Sequence, residues 1–181
     1  MGMKTWQKDL YRYEGEKSKK LLVKLKYFFF VPGFTYTYLF RKSQPGLWRV
    51  FFRVLLKITS FITHIQIPPN TRIGEGLYIG HYGAIIINPG AVIGRNFSIA
   101  AGTLIGNAQG KKQGVPTIGD NVYMGRNAIV IGGVNIGNNV MIAPGAFVNF
   151  DVPDNSIVIG NPGKIISRES SPTEKYMVYT V

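Results

Sequence analysis

Residues 117–148 read TIGDNV YMGRNA IVIGGV NIGNNV MIAPGA FV when they are written in groups of six. The second residue of every group is aliphatic or methionine, so a large apolar side chain returns every six positions. The same period continues back toward the N-terminus in two further blocks. The fourteen positions are Ile67, Ile73, Ile79 and Ile85, then Ile87, Ile93, Ile99 and Ile105, and then Ile118, Met124, Val130, Ile136, Ile142 and Val148.

A period of six fits neither an α-helix nor a simple alternating strand. It is typical of a triangular coil in which each unit forms one short strand and one corner, and three units make a turn. Glycine and asparagine recur at the corner positions, where they tolerate the positive φ of tight bends. We therefore predict a mainly β protein with a parallel β-helix over residues 63–166. An antiparallel sandwich would need polar turn clusters about every 8–12 residues instead.

The N-terminal segment has a different character. Residues 1–60 hold 13 Lys or Arg and three acidic residues, which is +10 of the formal net charge of +12. We predict that residues 1–62 are mainly helical and cover one end of the β-helix. The chain from Pro153 is expected to close the other end, with residues 167–181 as a C-terminal tail.

One stretch of this segment favours an interfacial helix. Arg49, Arg53 and Lys57 are four residues apart, so on a helix they form a narrow basic stripe among apolar neighbours. Such a helix either packs on other helices or lies on an anionic membrane surface. Because basic residues near anionic lipid are favourable, we predict a cytoplasmic protein attached peripherally to the inner face of the plasma membrane.

Several classes of function are disfavoured. The chain has no cysteine and two histidines, which cannot supply a thiolate zinc site or a three-histidine zinc site, so we expect no metal. No nucleic-acid recognition motif accompanies the positive charge, so no nucleic-acid partner is expected. The sequence also shows no secretory signal pattern, and Lys24, Lys26 and Pro32 interrupt its most apolar stretch, which argues against a transmembrane span.

The six-residue period is interrupted twice, and interruptions of a solenoid are common places for function. The first is a two-residue phase slip between Ile79 and Ile87, which predicts a bulge around His81. The second is residues 106–117, which we predict to form an extended, mobile, basic loop. An imidazole exchanges protons readily near neutral pH, so His81 is the candidate general base, with a structural histidine as the alternative. We expect a structural role for His64, which lies among apolar residues.

Residues 65–166 resemble the serine-acetyltransferase-like branch of the hexapeptide-repeat acyltransferases, whose fold is a left-handed parallel β-helix. The resemblance rests on an ordered set of motifs rather than on the repeat alone. These are Ile-Pro-Pro-Asn-Thr-Arg-Ile-Gly-Glu-Gly-Leu-Tyr-Ile-Gly-His (67–81), the Ile-Ile-Ile-Asn slip (85–88), Pro-Thr-Ile-Gly-Asp-Asn-Val (116–122), Asp-Val-Pro (151–153) and Gly-Asn-Pro-Gly-Lys-Ile (160–165).

The resemblance implies an O-acetyltransferase that uses acetyl-CoA and forms a homotrimer with active sites between subunits. In that family the histidine at the place of His81 removes a proton from the acceptor hydroxyl. The residues expected to bind acetyl-CoA are Gly106, Asn107, Lys111, Lys112, Gly125, Arg126, Ala143, Pro144 and Lys164. The residues expected to bind the acceptor are Gln66, Tyr82 and Asn88.

Three departures from serine acetyltransferases bear on the acceptor. Gln66 and Gly80 stand where that family has aspartates, and Val115 stands where it has a second histidine. Similar short chains with a basic N-terminal segment occur among acetyltransferases of capsule and exopolysaccharide synthesis. We therefore predict that the acceptor is a sugar hydroxyl of a lipid-linked bacterial surface polysaccharide or its precursor. The alternatives are a serine O-acetyltransferase of cysteine biosynthesis and a non-catalytic scaffold at the membrane.

Overall fold

The computed structural model describes residues 2–44, 46–110 and 112–181. Within the described residues, four α-helices come first and short β-strands follow. The helices are α1 (Thr5–Glu14), a 3₁₀ segment (Gly15–Lys19), α2 (Leu21–Phe30), α3 (Pro32–Lys42), α4 (Arg49–Thr63) and a late 3₁₀ turn (Glu174–Tyr176). The strands are β1 (Ile65–Gln66), β2 (Arg72–Ile73), β3 (Tyr78–Ile79), β4 (Ile85–Ile87), β5 (Val92–Ile93), β6 (Ser98–Ile99), β7 (Leu104–Gly106), β8 (Thr117–Ile118), β9 (Tyr123–Met124), β10 (Ile129–Ile131), β11 (Asn135–Ile136), β12 (Met141–Ile142), β13 (Phe147–Val148), β14 (Ser156–Ile159) and β15 (Lys164–Ser167).

From β1 to β13 every third strand joins the same sheet, and β14 and β15 extend the third sheet, so three sheets form the sides of a triangular prism. Sheet A is β1-β4-β7-β10-β13, sheet B is β2-β5-β8-β11, and sheet C is β3-β6-β9-β12-β14-β15. All pairs are parallel except β14 with β15. The chain is therefore the predicted left-handed parallel β-helix with a helical N-terminal segment.

The six-residue period marks the core. Of the fourteen periodic side chains, thirteen are buried and one, Ile73, is partly buried against the same cluster. Paired residues lie 18 apart where no insertion occurs, as in Ile87 with Ile105. Between the first two turns the paired residues are 20 positions apart in sequence, as in Ile73 with Ile93. Across residues 106–117 they are 25 positions apart, as in Ile93 with Ile118. Both predicted interruptions are therefore present as extra residues at corners.

The N-terminal helices cover the first turn of the β-helix by hydrogen bonding to the free edge of each sheet. The Tyr36 hydroxyl donates to Ile67 O and accepts from Ile67 N. The Tyr13 hydroxyl does the same with Ile79 O and N. Arg41 donates to the carbonyl of Ile73 at the edge of sheet B. Backbone groups that have no neighbouring turn on this side are thus paired with side chains from α1 and α3.

The corner between sheets B and C holds a ladder of asparagines. Asn96, Asn121, Asn139 and Asn155 all have φ between 53° and 58°, in the left-handed region that asparagine tolerates. Each side-chain amide donates to the carbonyl oxygen of the next, at 3.0 Å. This repeated contact explains why asparagine recurs at these corners.

The C-terminal chain reinforces sheet C and does not simply close the end of the prism. After β15, the Tyr176 ring packs on Tyr123, with ring centroids 4.9 Å apart. The backbone of Val181 then exchanges two hydrogen bonds with the side chain of Asn96. The tail therefore runs back along the prism toward its first turns. Among the described residues, no helix combines the length and apolarity that a bilayer crossing requires.

Candidate active site

His81 lies in the over-long corner between β3 and β4. Its side chain is exposed, and the corner bends through positive φ at Gly83 (118°) and Ala84 (43°). The two extra residues push this corner away from the regular path of the coil, so the imidazole is not drawn into the core. The next residue, Tyr82, is also exposed, at 54%.

The corners between sheets C and A stack into one continuous edge, which we call the His81 edge (80–84, 100–103, 125–128 and 143–146). Backbone hydrogen bonds join its successive levels. Gly102 N donates to Gly83 O, Asn127 N to Ala101 O, and Gly145 N to Arg126 O. Gly125, Arg126, Ala143 and Pro144 therefore lie on the same edge as His81, and Lys164 is exposed at the start of β15, just beyond its last corner. A groove ligand that follows this edge would meet all of these positions.

Residues 106–117 lie at the opposite border of sheet A, at the corner with sheet B. Ala108 and Gly114 exchange two backbone hydrogen bonds, so the loop folds back on itself where the sequence predicted an extended loop. Gly133 N donates to the carbonyl of Lys112, which holds the loop against the next turn. Lys111, predicted to contact coenzyme A, lies outside the described residues.

The ammonium group of Lys112 has a partner within the chain. Its Nζ lies 2.6 Å from Asp151 Oδ2, and both side chains are about half exposed. This hydrogen bond, with a second from Asn135 N, holds the pKa of the Asp151 carboxyl below its usual range. A phosphate that binds Lys112 must therefore compete with a carboxylate.

The outward face of sheet A, between these two borders, is largely apolar. Its side chains include Ile86, Leu104, Ile129, Ile131 and Phe147, and Ile86 is 40% exposed. The other two sheets differ. Sheet C is covered by contacts such as Tyr13 on Tyr78, whereas sheet B presents polar residues such as Thr117 and Asn135.

The three predicted acceptor-binding residues are not gathered at one point. Tyr82 is beside His81, whereas Asn88 lies past β4, at the corner of sheets A and B, where its Oδ1 accepts from Gly90 N. Gln66 is exposed on β1, pairs with Ile86, and lines a cavity between α4 and the first turn. His64 ends α4 in the left-handed conformation (φ 57°) with its side chain exposed in that same cavity.

The sequence did not predict this cavity, which has a volume of about 790 Å³. Arg53 and Lys57 line it together with Gln66 and His64. The four-residue spacing of the basic residues was visible in the sequence, but their position over β1 depends on how α4 packs. No group of three or more metal-binding side chains comes together within the described chain.

Comparison with known proteins assigns the repeat. Residues 116–149 match the model of the bacterial transferase hexapeptide (six repeats). The six-residue repeats of this chain are therefore similar to those of bacterial hexapeptide transferases. Curated relatives of this hexapeptide-repeat chain are serine acetyltransferases. The protein from Synechococcus elongatus is 36% identical over 118 residues, which cover 64% of this chain and 48% of the relative. Serine acetyltransferase 2 of Arabidopsis thaliana is 40% identical over 104 residues, which cover 56% and 32%.

Solved structures of similar proteins extend the likeness to the N-terminal helices. Serine acetyltransferase from Brucella abortus strain S19 aligns with a TM-score of 0.74 and 25% identity, covering 92% of this chain and 69% of that one. A complex of that enzyme with coenzyme A gives the same score and identity, and covers 92% and 68%. The chain spans about half or less of the length of these two curated relatives.

These comparisons contradict the predicted polysaccharide acceptor. The matched proteins are serine acetyltransferases, not acetyltransferases of capsule or exopolysaccharide synthesis, so that prediction is wrong. The prediction of a polysaccharide acceptor depended mainly on the neutral residues Gln66 and Gly80 and on the short basic N-terminal segment. That segment, however, aligns with the serine acetyltransferase structures, so it does not mark a separate class of protein.

Proposed function

We propose that this protein is an acetyl-CoA-dependent serine O-acetyltransferase in which His81 is the general base. One observation carries the proposal: an exposed imidazole stands in an over-long corner of a β-helix whose relatives are serine acetyltransferases. The described side chains on the His81 edge include Tyr82 and Arg126, but His81 carries the imidazole, the side chain that most often serves as a general base.

The reaction follows from the chemistry of the two substrates. His81 takes the hydroxyl proton of serine as the hydroxyl oxygen attacks the carbonyl carbon of the acetyl thioester. The C–S bond breaks, the acetyl group stays on the serine oxygen, and the imidazolium returns the proton to the departing thiolate of coenzyme A. Backbone N–H groups of the glycine-rich corner are suited to stabilise the oxyanion that forms between these steps.

The donor site is proposed between the His81 edge of one subunit and the loop of a neighbouring subunit. The residues are Gly106, Asn107, Gly125, Arg126, Ala143, Pro144 and Lys164, with Lys111 and Lys112 toward the phosphates. These residues follow the two borders of sheet A over several turns, and this long course suits an extended, flexible pantetheine arm. The existence of a coenzyme A complex of the Brucella enzyme supports this donor.

We also propose that three copies pack through the apolar face of sheet A. Because the loop and the His81 edge lie on opposite borders of that face, packing around a threefold axis would bring the loop of one subunit to the His81 edge of another. Light scattering should give three times the 20.1 kDa mass of one chain. Ile86→Lys with Ile129→Lys should give the single mass, and a trimer unaffected by this pair would refute the interface.

The activity is tested by incubating the purified protein with acetyl-CoA and L-serine. Release of free thiol is followed by colour, and O-acetylserine is identified by mass spectrometry. Thiol release that depends on serine supports the proposal. If acetyl-CoA binds but serine is not acetylated, serine is not the acceptor, and if acetyl-CoA does not bind, the protein is a scaffold.

The location at the inner face of the plasma membrane is likewise a proposal. Along α4, six apolar side chains, each more than half exposed, point away from the buried Leu56 and Thr63. They are Val50, Phe51, Val54, Ile58, Phe61 and Ile62. An apolar face bordered by cations is the pattern of helices that lie in anionic bilayer surfaces.

Flotation with phosphatidylglycerol vesicles tests this location. The wild type should float, and Val54→Ser with Phe61→Ser should not. Ile165→Ser with Ile166→Ser removes two partly exposed apolar residues from β15 and should leave flotation unchanged. A wild type that stays at the bottom of the gradient would refute membrane attachment.

A further inference from the structure

The cavity between α4 and the first turn is lined by two basic residues that have no role in the proposed reaction. We propose that it is a binding site for an anionic group, a carboxylate or phosphate, held by Arg53 and Lys57. At about 790 Å³ it is large enough for a metabolite-sized ligand. This inference concerns binding alone and stands independently of the acetyltransferase proposal.

The walls of the cavity come from two elements. Arg53, Lys57 and Ser60 lie on the flank of α4 that faces the first turn, and Gln66 and Asn70 lie across from them. The floor is formed by buried groups, including Tyr36, whose hydroxyl is already occupied by both backbone groups of Ile67. A ligand there would meet two cations and neutral hydrogen-bonding groups.

The positive charge of the cavity is not neutralised within the described chain. None of the described residues that line it is acidic. The four acids among residues 1–75 are engaged elsewhere: Asp9 with Arg41, Glu14 with Tyr27, Glu16 with Lys19, and Glu75 with Lys8. Among residues 2–44, 46–110 and 112–181, Arg53 makes one long contact, 3.4 Å to Ser43 O, and neither Arg53 nor Lys57 has a carboxylate partner.

These charges favour an anion for two reasons. A concave surface lined by one sign of charge focuses the electric field and concentrates counter-ions. A guanidinium also offers paired donors that match the oxygens of a carboxylate or phosphate, and a nearby ammonium adds a second charge. The imidazole of His64 and the amide of Gln66 can donate further hydrogen bonds from the opposite wall.

The test measures binding of inorganic phosphate by calorimetry at low salt. The variant Arg53→Gln with Lys57→Gln should bind about 10- to 100-fold more weakly than the wild type, because two charge-assisted contacts are lost. The control, Arg49→Gln with Lys175→Gln, removes the same net charge from exposed positions outside the cavity and should bind like the wild type. Equal binding by both variants, or none by the wild type at about 10 mM phosphate, would overturn the site.

Two further readouts locate the anion and identify its source. Phosphate should shift the ring resonances of His64 in NMR spectra of the wild type, and unchanged resonances would place the anion elsewhere. Flotation with phosphatidylglycerol vesicles separates a lipid headgroup from a free metabolite. If the Arg53 and Lys57 variant loses flotation as well as phosphate binding, the anion is a headgroup. If it still floats, the cavity binds a soluble anion.

Discussion

The guanidinium of Arg41 binds both carboxylate oxygens of Asp9, at 2.8 and 3.1 Å, where α1 and α3 meet the first turn of the β-helix. Asp9 is fully buried and also accepts from Gly76 N and Leu77 N. Arg41 in turn donates to the carbonyl of Gly74. The pair therefore joins the helical segment to the sheets and leaves few of its own polar atoms unsatisfied.

We predict that Arg41→Met lowers the free energy of unfolding by about 3–5 kcal/mol, because it leaves the buried carboxylate without its counter-charge. Denaturant unfolding followed by circular dichroism measures the change. Arg49→Met removes an exposed arginine of α4 and serves as the control, with an expected change under about 0.5 kcal/mol. A loss in Arg41→Met no larger than in this control would show that the pair contributes little.

His81→Ala should lower kcat for acetyl transfer by about 10² to 10⁴, the usual contribution of a positioned general base. The melting temperature should stay close to that of the wild type, since the side chain is exposed and outside the core. Thiol release at saturating acetyl-CoA measures the effect, with Glu169→Ala in the tail as the control. Activity within about tenfold of the wild type would remove His81 from the role of base.

The contact between Lys112 and Asp151 predicts that the folding stability contributed by Asp151 changes with pH only in acid solution. Because folding lowers the pKa of Asp151, its stabilising effect is present above the ordinary aspartate value of about 3.9. It is lost as the pH falls through the lower, folded value. NMR titration of the Asp151 carboxyl carbon should show that low pKa in the wild type, and an upward shift in Lys112→Gln. A titration that is the same in both proteins would mean that the contact does not persist in solution.

Gly94→Ala should destabilise the β-helix, because a Cβ at this corner would lie 2.7 Å from the backbone carbonyl carbon and oxygen of Gly119 in the next turn. Overpacking of this kind costs about 1–3 kcal/mol. Gly90→Ala is the matched control, because its Cβ would meet the movable side chain of Val115 at 3.2 Å. Thermal unfolding of the two variants gives the comparison, and equal melting temperatures would contradict the close backbone approach.

The period of six predicted the fold because each inward side chain makes the same contact in every turn. The repeat in the local sequence therefore also specifies the packing between turns. It also placed His81 and the long loop, since an insertion breaks the phase where it occurs. The contacts of the helical segment could not be predicted in this way. Tyr36 reaches Ile67 across 31 residues, and no periodic pattern encodes such a contact.

The acceptor was predicted wrongly for a related reason. Neutral side chains at positions 66 and 80 were read as evidence against serine, although recognition of a small acceptor depends on the whole surrounding site. Gln66 borders a cavity with two cations from α4, and only the packing of that helix brings them there. The surroundings of Gln66 therefore depend on residues that are distant in sequence, and the residue types at positions 66 and 80 do not define them.

The hydrogen bonds from Tyr13, Tyr36 and Arg41 have a consequence for any shortened form of this protein. Without residues 1–63, three parallel strands would present unpaired amides and carbonyls at one flat triangular surface, as the growing tip of a filament does. Molecules cut there would be expected to associate through these open strand edges and to aggregate. The helical segment thus acts as a terminator that keeps a structure of indefinitely extendable geometry to a fixed length.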